Sequence, residues 1–325
     1  MSGWLPPVDK LRASYEKWQR AYLRIFDCAS CPVSRLSVPD VQITNVSFSE
    51  TVNVCERAED VLRRCVNQWL NSVQFQPVRE TLLAYCHPRE RIRLILQTED
   101  LRLQKLPLHL WDWFERYTQA EWVLGTATYS QPFAMTSAAT SVKSMLASRV
   151  LVVLGDSHGL DTEADLAMVE ALPMVTVTCL RQPTRSQLNE ALRDSPWDVV
   201  LFAGHSDGDD QPRFHLNARA SLSLSDLRYG LRRAIAQNLK LLIFNTCDSL
   251  GLINALNSTL CLPATVAMRS PVPDLVAQVF LRYFLTAISQ GQPLPQAVRE
   301  AREKLQGIEH QFPFSSWIPV LYQTM

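Results

Sequence analysis

Between Val150 and Met268 the sequence returns repeatedly to a short, almost unbroken apolar run: Val150–Leu154, Val175–Leu180, Asp198–Ala203, Lys240–Asn245 and Ala264–Met268. A strand with one face in water alternates apolar and polar residues, whereas a strand covered on both faces need not. These runs are therefore read as strands of a parallel sheet with helices packed on both sides. The segments between them have helical period. Asp161–Leu172 opens with an acidic turn, Thr184 can cap Arg185–Arg193, and Ser225 precedes Leu227, Leu231, Ala234 and Ile235 at helical spacing. Asp274 can cap the apolar helix Leu275–Ser289, Leu294–Gln306 follows as a second helix, and a last strand is expected at Trp317–Tyr322. Such β–α–β units cross over right-handedly, and sheets built from them bind ligands beyond the carboxyl ends of their strands.

The first 130 residues carry a weaker pattern. Asp40–Phe48 reads as a strand, Val54–Leu70 as a helix, and Arg91–Gln97 and Glu121–Ala127 as strands. The expected organisation is a smaller α/β subdomain over residues 1–130, a Ser-, Ala- and Thr-rich linker over 131–148, and an α/β domain over 149–325.

Two of the runs end in residues with chemistry. Val199–Ala203 continues into Gly204, His205, Ser206, Asp207 and Gly208, and Leu241–Asn245 continues into Thr246, Cys247 and Asp248. Each reactive side chain falls just past its strand, at the ligand-binding edge of such a sheet, and the two strands are consecutive. A thiol is only a few per cent ionised at neutral pH, and an imidazole within reach activates it by taking the proton. Attack on a carbonyl would then require donors for the oxyanion, and the backbone N–H groups of Gly204, Ser206, Gly208 and Cys247 are the candidates. The structural alternative is a small buried Cys and a His that merely satisfies a neighbouring carbonyl.

The phrases FAGHSDGD, LKLLIFNTCDSLGL, PATVAMRSPVPD, VAQVFLRYFLTAISQGQPLPQAVREAREKLQG and FSSWIPVLYQ resemble the CHAT family of caspase-like cysteine peptidases, of cyanobacterial type; LILQTED and LPLHLWDWFERY resemble the leading half of the same proteins. The resemblance implies a caspase–hemoglobinase fold of clan CD, with His205 as general base and Cys247 as nucleophile. It also implies that the N-terminal part is a caspase-like subdomain without a dyad. Relatives in the clan commonly carry Gly directly after the catalytic His, where this chain has Ser206. They also place a residue that reads the substrate side chain at the end of the first strand, which here is Asp156, with Asp248 as a second candidate. An acidic residue there favours a substrate Arg or Lys; the plainer role for Asp156 is to turn its own loop.

Lys plus Arg equals Asp plus Glu at 32 each, so no overall charge recommends nucleic acid or an anionic membrane as a partner. No run of eighteen apolar residues and no export signal is evident, so a cytoplasmic protein with reduced cysteines is expected. The lone pair Cys28 and Cys31 lacks a second pair of ligands for zinc, and His158, His215 and His310 have no metal-ligand spacing. Trp111, Trp113, Phe114 and Tyr117 read as a packed seam rather than a docking stripe. GxSxG, HExxH, phosphate-loop and dinucleotide signatures are absent. The expectation is thus a cysteine endopeptidase needing no metal or other cofactor, acting on a protein or peptide substrate. The resemblance adds a signalling, stress or defence setting and an activating protein partner or sensor. The rival is a caspase-like adaptor that binds peptides without cutting them.

Overall fold

A computed structural model of the chain describes residues 4–25, 45–125, 148–207, 212–257 and 259–323, and these fall into two compact units. The first unit is mainly helical: α1 (Asp9–Ile25), α2 (Asn45–Leu70), α3 (Gln76–Tyr85), the start of strand β1 (Ile92–Gln97), most of α4 (Leu101–Gln104), α5 (Trp113–Arg116) and the start of β2 (Ala120–Gly125). In α1 the residues Leu11, Tyr15, Trp18, Tyr22 and Ile25 recur at a helical interval, and all are buried. In α2 they are matched by Leu62, Val66, Trp69 and Leu70. The indole N–H of Trp69 donates to the carbonyl of Pro6 at 2.8 Å, and Asn67 bonds the backbone of both Leu110 and Asp112. Trp111, Trp113, Phe114 and Tyr117 are buried here, with Trp113 stacked on Tyr117 at 4.0 Å, so they form a core seam.

One expectation fails in this unit. Residues 45–48, read as the end of a strand, are the first turn of α2, while residues 40–44 lie outside the described residues. The strand alternation of Val41 and Ile43 slips at Val46. From Phe48 onward the sequence keeps a helical interval through Val52 and Cys55, which Leu62, Val66 and Trp69 continue.

The second unit holds an α/β sheet, to which β1 and β2 contribute their C-terminal ends. Its further strands are β3 (Arg149–Leu154), β4 (Thr176–Arg181), β5 (Val199–Ala203), β9 (Leu241–Asn245), β10 (Ala264–Met268) and β11 (Pro319–Tyr322). The order is β1-β2-β11-β10-β9-β5-β3-β4. From β4 to β10 every pairing is parallel, β11 runs antiparallel to β10, and β2 runs parallel to β11. Three short strands, β6 (Ser206–Asp207), β7 (Arg213–Asn217) and β8 (Ala220–Leu222), form a separate antiparallel sheet. The helices are α6 (Thr162–Glu170), α7 (Arg185–Asp194), α8 (Leu224–Ala236), α9 (Leu250–Asn257), α10 (Asp274–Ser289) and α11 (Leu294–Leu305).

Alternate residues of each strand serve opposite faces. Leu151, Val153, Val200, Phe202, Leu242 and Phe244 join Leu188, Leu192, Leu227, Leu231 and Ile253 of α7, α8 and α9 in one core. Val150, Val199, Leu201, Leu241 and Ile243 face the other way, lining a small apolar cavity with Val169 of α6 and Phe284 and Ile288 of α10. Both faces are covered, which is why the runs are apolar throughout. The helix starts are local chemistry. Thr184 and Gln187 exchange backbone-to-side-chain bonds across the first turn of α7. Asp226 does the same for Ser223, so the cap of α8 lies two residues before the Ser225 position expected.

Candidate active site

In the parallel part of the sheet the chain starts at β3, moves outward to β4, then returns to the other side of β3 with β5, β9 and β10. The strand order therefore reverses between β3 and β5, and a cleft opens outside the carboxyl ends of strands at such a reversal. Asp156 lies two residues past β3, His205 two past β5 and Cys247 two past β9. Strands β5 and β9 pair in register, Ala203 opposite Asn245, so His205 and Cys247 leave the sheet edge at equivalent positions on neighbouring strands. Strand neighbours are separated by about 4.8 Å. Beyond the last ladder pair the two chains stay joined, because the hydroxyl of Ser206 donates to the carbonyl of Cys247 at 2.6 Å.

Behind His205 three backbones meet in a closed ring of hydrogen bonds. The N–H of His205 donates to Asp156 at 3.1 Å, that of Asp156 to His215 at 2.8 Å, and that of His215 to His205 at 2.9 Å. The approach is close enough to require glycine at two places. A Cβ on Gly155 would overlap the carbonyl oxygen of His215, and one on Gly204 would lie 3.0 Å from that of Asp156. Gly204 also holds φ at +139°, where L side chains are strained. The hairpin that supplies His215 carries a second contact, His215 Nε2 to Asp207 Oδ2 at 2.9 Å. Residues 213–217 and 220–222 are strands of this hairpin sheet.

The His205 imidazole is buried, and its Nε2 lies 2.8 Å from the carbonyl oxygen of His158. A carbonyl only accepts, so Nε2 carries the proton, and in the neutral ring the lone pair resides on Nδ1. Cys247 is 1% exposed. Its Sγ lies against the backbone of Val272, in the segment leading into α10, 3.3 Å from the nitrogen and 3.4 Å from the oxygen of that residue. The N–H of Val272 donates to the sulfur, and the carbonyl of the same residue accepts the S–H of the thiol. Ser249 accepts the N–H of Met268 at 3.0 Å, which holds the start of α9 against β10. Below the edge, Asn245 donates to the fully buried Asp165 of α6 at 3.1 Å.

Of the residues singled out from sequence, Gly204, His205, Ser206, Cys247 and Asp156 thus occupy one edge of one sheet. Asp248 follows Cys247 directly, half-buried with φ at +37°, its N–H toward the carbonyl of Ser270. The carboxylate of Asp156 accepts the N–H of His158 at 3.3 Å, so it turns its own loop. Gly208, like Cys28 and Cys31, lies outside the described residues. Sequence reasoning missed three contributors: the carbonyl of His158, the backbone of His215, and the Ser206 hydroxyl. The first two act through main chain, which residue type does not announce. The third had a signal, a Ser placed directly after the His.

The described cysteines, Cys55, Cys65, Cys86, Cys179, Cys247 and Cys261, are free thiols. No helix among the described residues is long and apolar enough to cross a membrane. Compared with known families, residues 65–318 match the model of the CHAT domain. No curated protein matches the chain.

Proposed function

The chain belongs to the CHAT domain family, whose model covers residues 65–318, and from that premise we propose that it is a caspase-like cysteine endopeptidase of clan CD with Cys247 as nucleophile and His205 as general base. The observation that supports this most is the placement of the two residues at equivalent positions past adjacent parallel strands, bridged by the bond from Ser206 to the Cys247 carbonyl. In this reading Nδ1 of His205 takes the thiol proton, the sulfur attacks the substrate carbonyl, and the protonated imidazole returns the proton to the leaving amine. Water, deprotonated by the same ring, then releases the acyl group and regenerates the thiol. Backbone N–H groups of Gly204, Ser206, Gly208 and Cys247 are the proposed oxyanion donors. No metal or other cofactor takes part.

The wider reading follows the family: a cytoplasmic enzyme of cyanobacterial type, switched on in a signalling, stress or defence pathway by a protein partner or sensor, with a protein substrate and neither nucleic acid nor membrane as partner. Residues 149–325 are the proposed catalytic domain and 1–130 a companion subdomain without a dyad; the linker expected over 131–148 lies, apart from Ser148, outside the described residues. Asp248 is the proposed carrier of a preference for Arg or Lys, since its neighbour in that role, Asp156, has its carboxylate engaged in its own turn. Peptide-library cleavage after Asp or Leu overturns that preference.

A second reading rests on the covered thiol. With Cys247 buried against Val272, the fold would serve as a peptide-binding adaptor that does not cut. A thiol-reactive peptide probe separates the two. Labelling of Cys247 that is lost in His205→Ala supports the peptidase; equal labelling of both proteins supports the adaptor. Cleaved peptides from a proteome treated with the wild type, and absent with Cys247→Ala, identify the substrate.

A further inference from the structure

The carbonyl that fixes the His205 ring belongs to an exposed loop. His158 is solvent-exposed, and the loop from Asp156 to Asp161 contains a glycine, Gly159, at φ +72°. A loop of this kind has to be anchored if one of its carbonyls is to hold a buried imidazole within a few tenths of an ångström. Two carboxylates supply the anchors. At the entry, Oδ1 of Asp156 accepts the N–H of His158 itself, 3.3 Å away, closing a two-residue turn that turns the next peptide toward His205. Within the turn the N–H of Leu160 donates to Ser157 at 2.9 Å. At the exit, Oδ2 of Asp274 accepts the N–H of Asp161 at 3.1 Å, while the Gln278 amide donates to both the Asp161 carbonyl and Asp274. Asp161 itself is occupied as the cap of α6, accepting from Ala164.

Building on the reading of His205 as the base, we infer that Asp156 and Asp274 are positioning residues that act on His205 through the His158 carbonyl, holding the ring in the tautomer with its lone pair on Nδ1. This assigns Asp156 a task different from reading substrate charge. The two tasks need different chemistry: charge recognition requires an anion, whereas anchoring requires only an acceptor oxygen. Asn keeps the acceptor and removes the charge, and Ala removes both.

The test uses the full chain with its six histidines labelled with nitrogen-15, the His205 signals assigned by comparison with His205→Ala. The wild type is expected to show a slowly exchanging Nε2–H on His205. Asp156→Asn should retain it, while Asp156→Ala and Asp274→Ala should lose it. Labelling of Cys247 by neutral iodoacetamide should follow the same order, about tenfold slower in the Ala variants and rescued to within about twofold by Asn, a loss well inside the hundredfold that misplacement of about 1 Å can cause. Asp274→Asn provides a second rescue if Asp156→Ala fails to fold. The inference is overturned if Asn behaves like Ala, if Asp156→Ala keeps the Nε2–H signal, or if Asn loses only the preference for cationic over neutral peptide probes. Equal labelling of wild type and His205→Ala would instead sink the peptidase reading, and the imidazole spectrum alone would then decide the positioning role.

Discussion

The Nε2 atom of His205 lies 2.8 Å from the carbonyl oxygen of His158, 47 residues earlier in the chain. That contact converts a general property of imidazole, two interchangeable nitrogens, into a directed one, because the proton is committed to one side of the ring. It depends on the sheet, which brings the ends of β3 and β5 together, and on glycines that let three backbones pass at close range. The opposite partner is set by similar means: the Cys247 carbonyl is held by Ser206, and its sulfur by the backbone N–H and carbonyl of Val272.

Ser206 is fully buried, and its hydroxyl ties the two strand ends together. Ser206→Ala leaves the Cys247 carbonyl without that donor, and the expected loss is about 1–3 kcal/mol, the cost of an unsatisfied buried group. Urea denaturation measures it. Cys247 should also label more slowly with the peptide probe, since its main chain is freer to shift. Unchanged stability and unchanged labelling would mean that the bond contributes nothing.

The glycines of the ring should respond in graded fashion. Gly155→Ala places a Cβ in the space of the His215 carbonyl, a backbone atom with no room to yield, and is expected to cost about 3 kcal/mol or more. Gly204→Ala combines φ of +139° with a 3.0 Å approach to Asp156 and should cost about 1–3 kcal/mol. Gly291 also has positive φ, +87°, but open space around it, so Gly291→Ala should cost about 1 kcal/mol. Thermal melts of the three proteins give the order, and a reversal of Gly155 and Gly291 would contradict the crowding described for the ring.

The sheet was legible in sequence because burial on both faces removes the polar half of each strand; Ala264–Met268 was read to the residue, and the other runs to within one or two. The same logic placed His205 and Cys247 just past their strands, since residues there have left the ladder. What stayed hidden was carried by main chain or by weak local signals. The helix α1 carries several charged and polar residues, so its apolar stripe of Leu11, Tyr15, Trp18 and Tyr22 is visible only at helical spacing. The strands β6 to β8 are two to five residues long, too short for a period to register. The His158 carbonyl could not be read at all, because every residue type offers the same oxygen.

Asp226 supplies a prediction with pH. Burial pulls its carboxyl upward, but the N–H and hydroxyl of Ser223, with Arg185 and Arg213, outweigh this and hold it below its ordinary value. A carboxyl lowered in the folded state stabilises fully above its unfolded value, near pH 3.9, and that contribution is lost as pH falls through the lower folded value. Asp226→Ala should therefore cost about 1 kcal/mol from pH 5 to pH 8, as expected for a helix cap. The gap to wild type should close below about pH 4. Urea denaturation across that range checks both; a gap that widens on acidification has the wrong sign.

The reactivity of the remaining thiols sets the background against which Cys247 is read. Burial in α2, reinforced by Glu59 and Glu56, pushes the Cys55 thiol up to about 12, so it stays protonated at pH 8. Cys179, on the edge strand β4, is raised as well, chiefly by burial, with Arg181 opposing. Cys261 is exposed. Because only the thiolate attacks, a simple alkylating agent at pH 8 should modify Cys261 before Cys179 and leave Cys55 untouched until the protein unfolds. Peptide mapping of briefly alkylated protein gives the order. Early modification of Cys55 would show that the α1–α2 pair opens far more readily than its buried Trp18, Tyr22, Leu62 and Val66 allow.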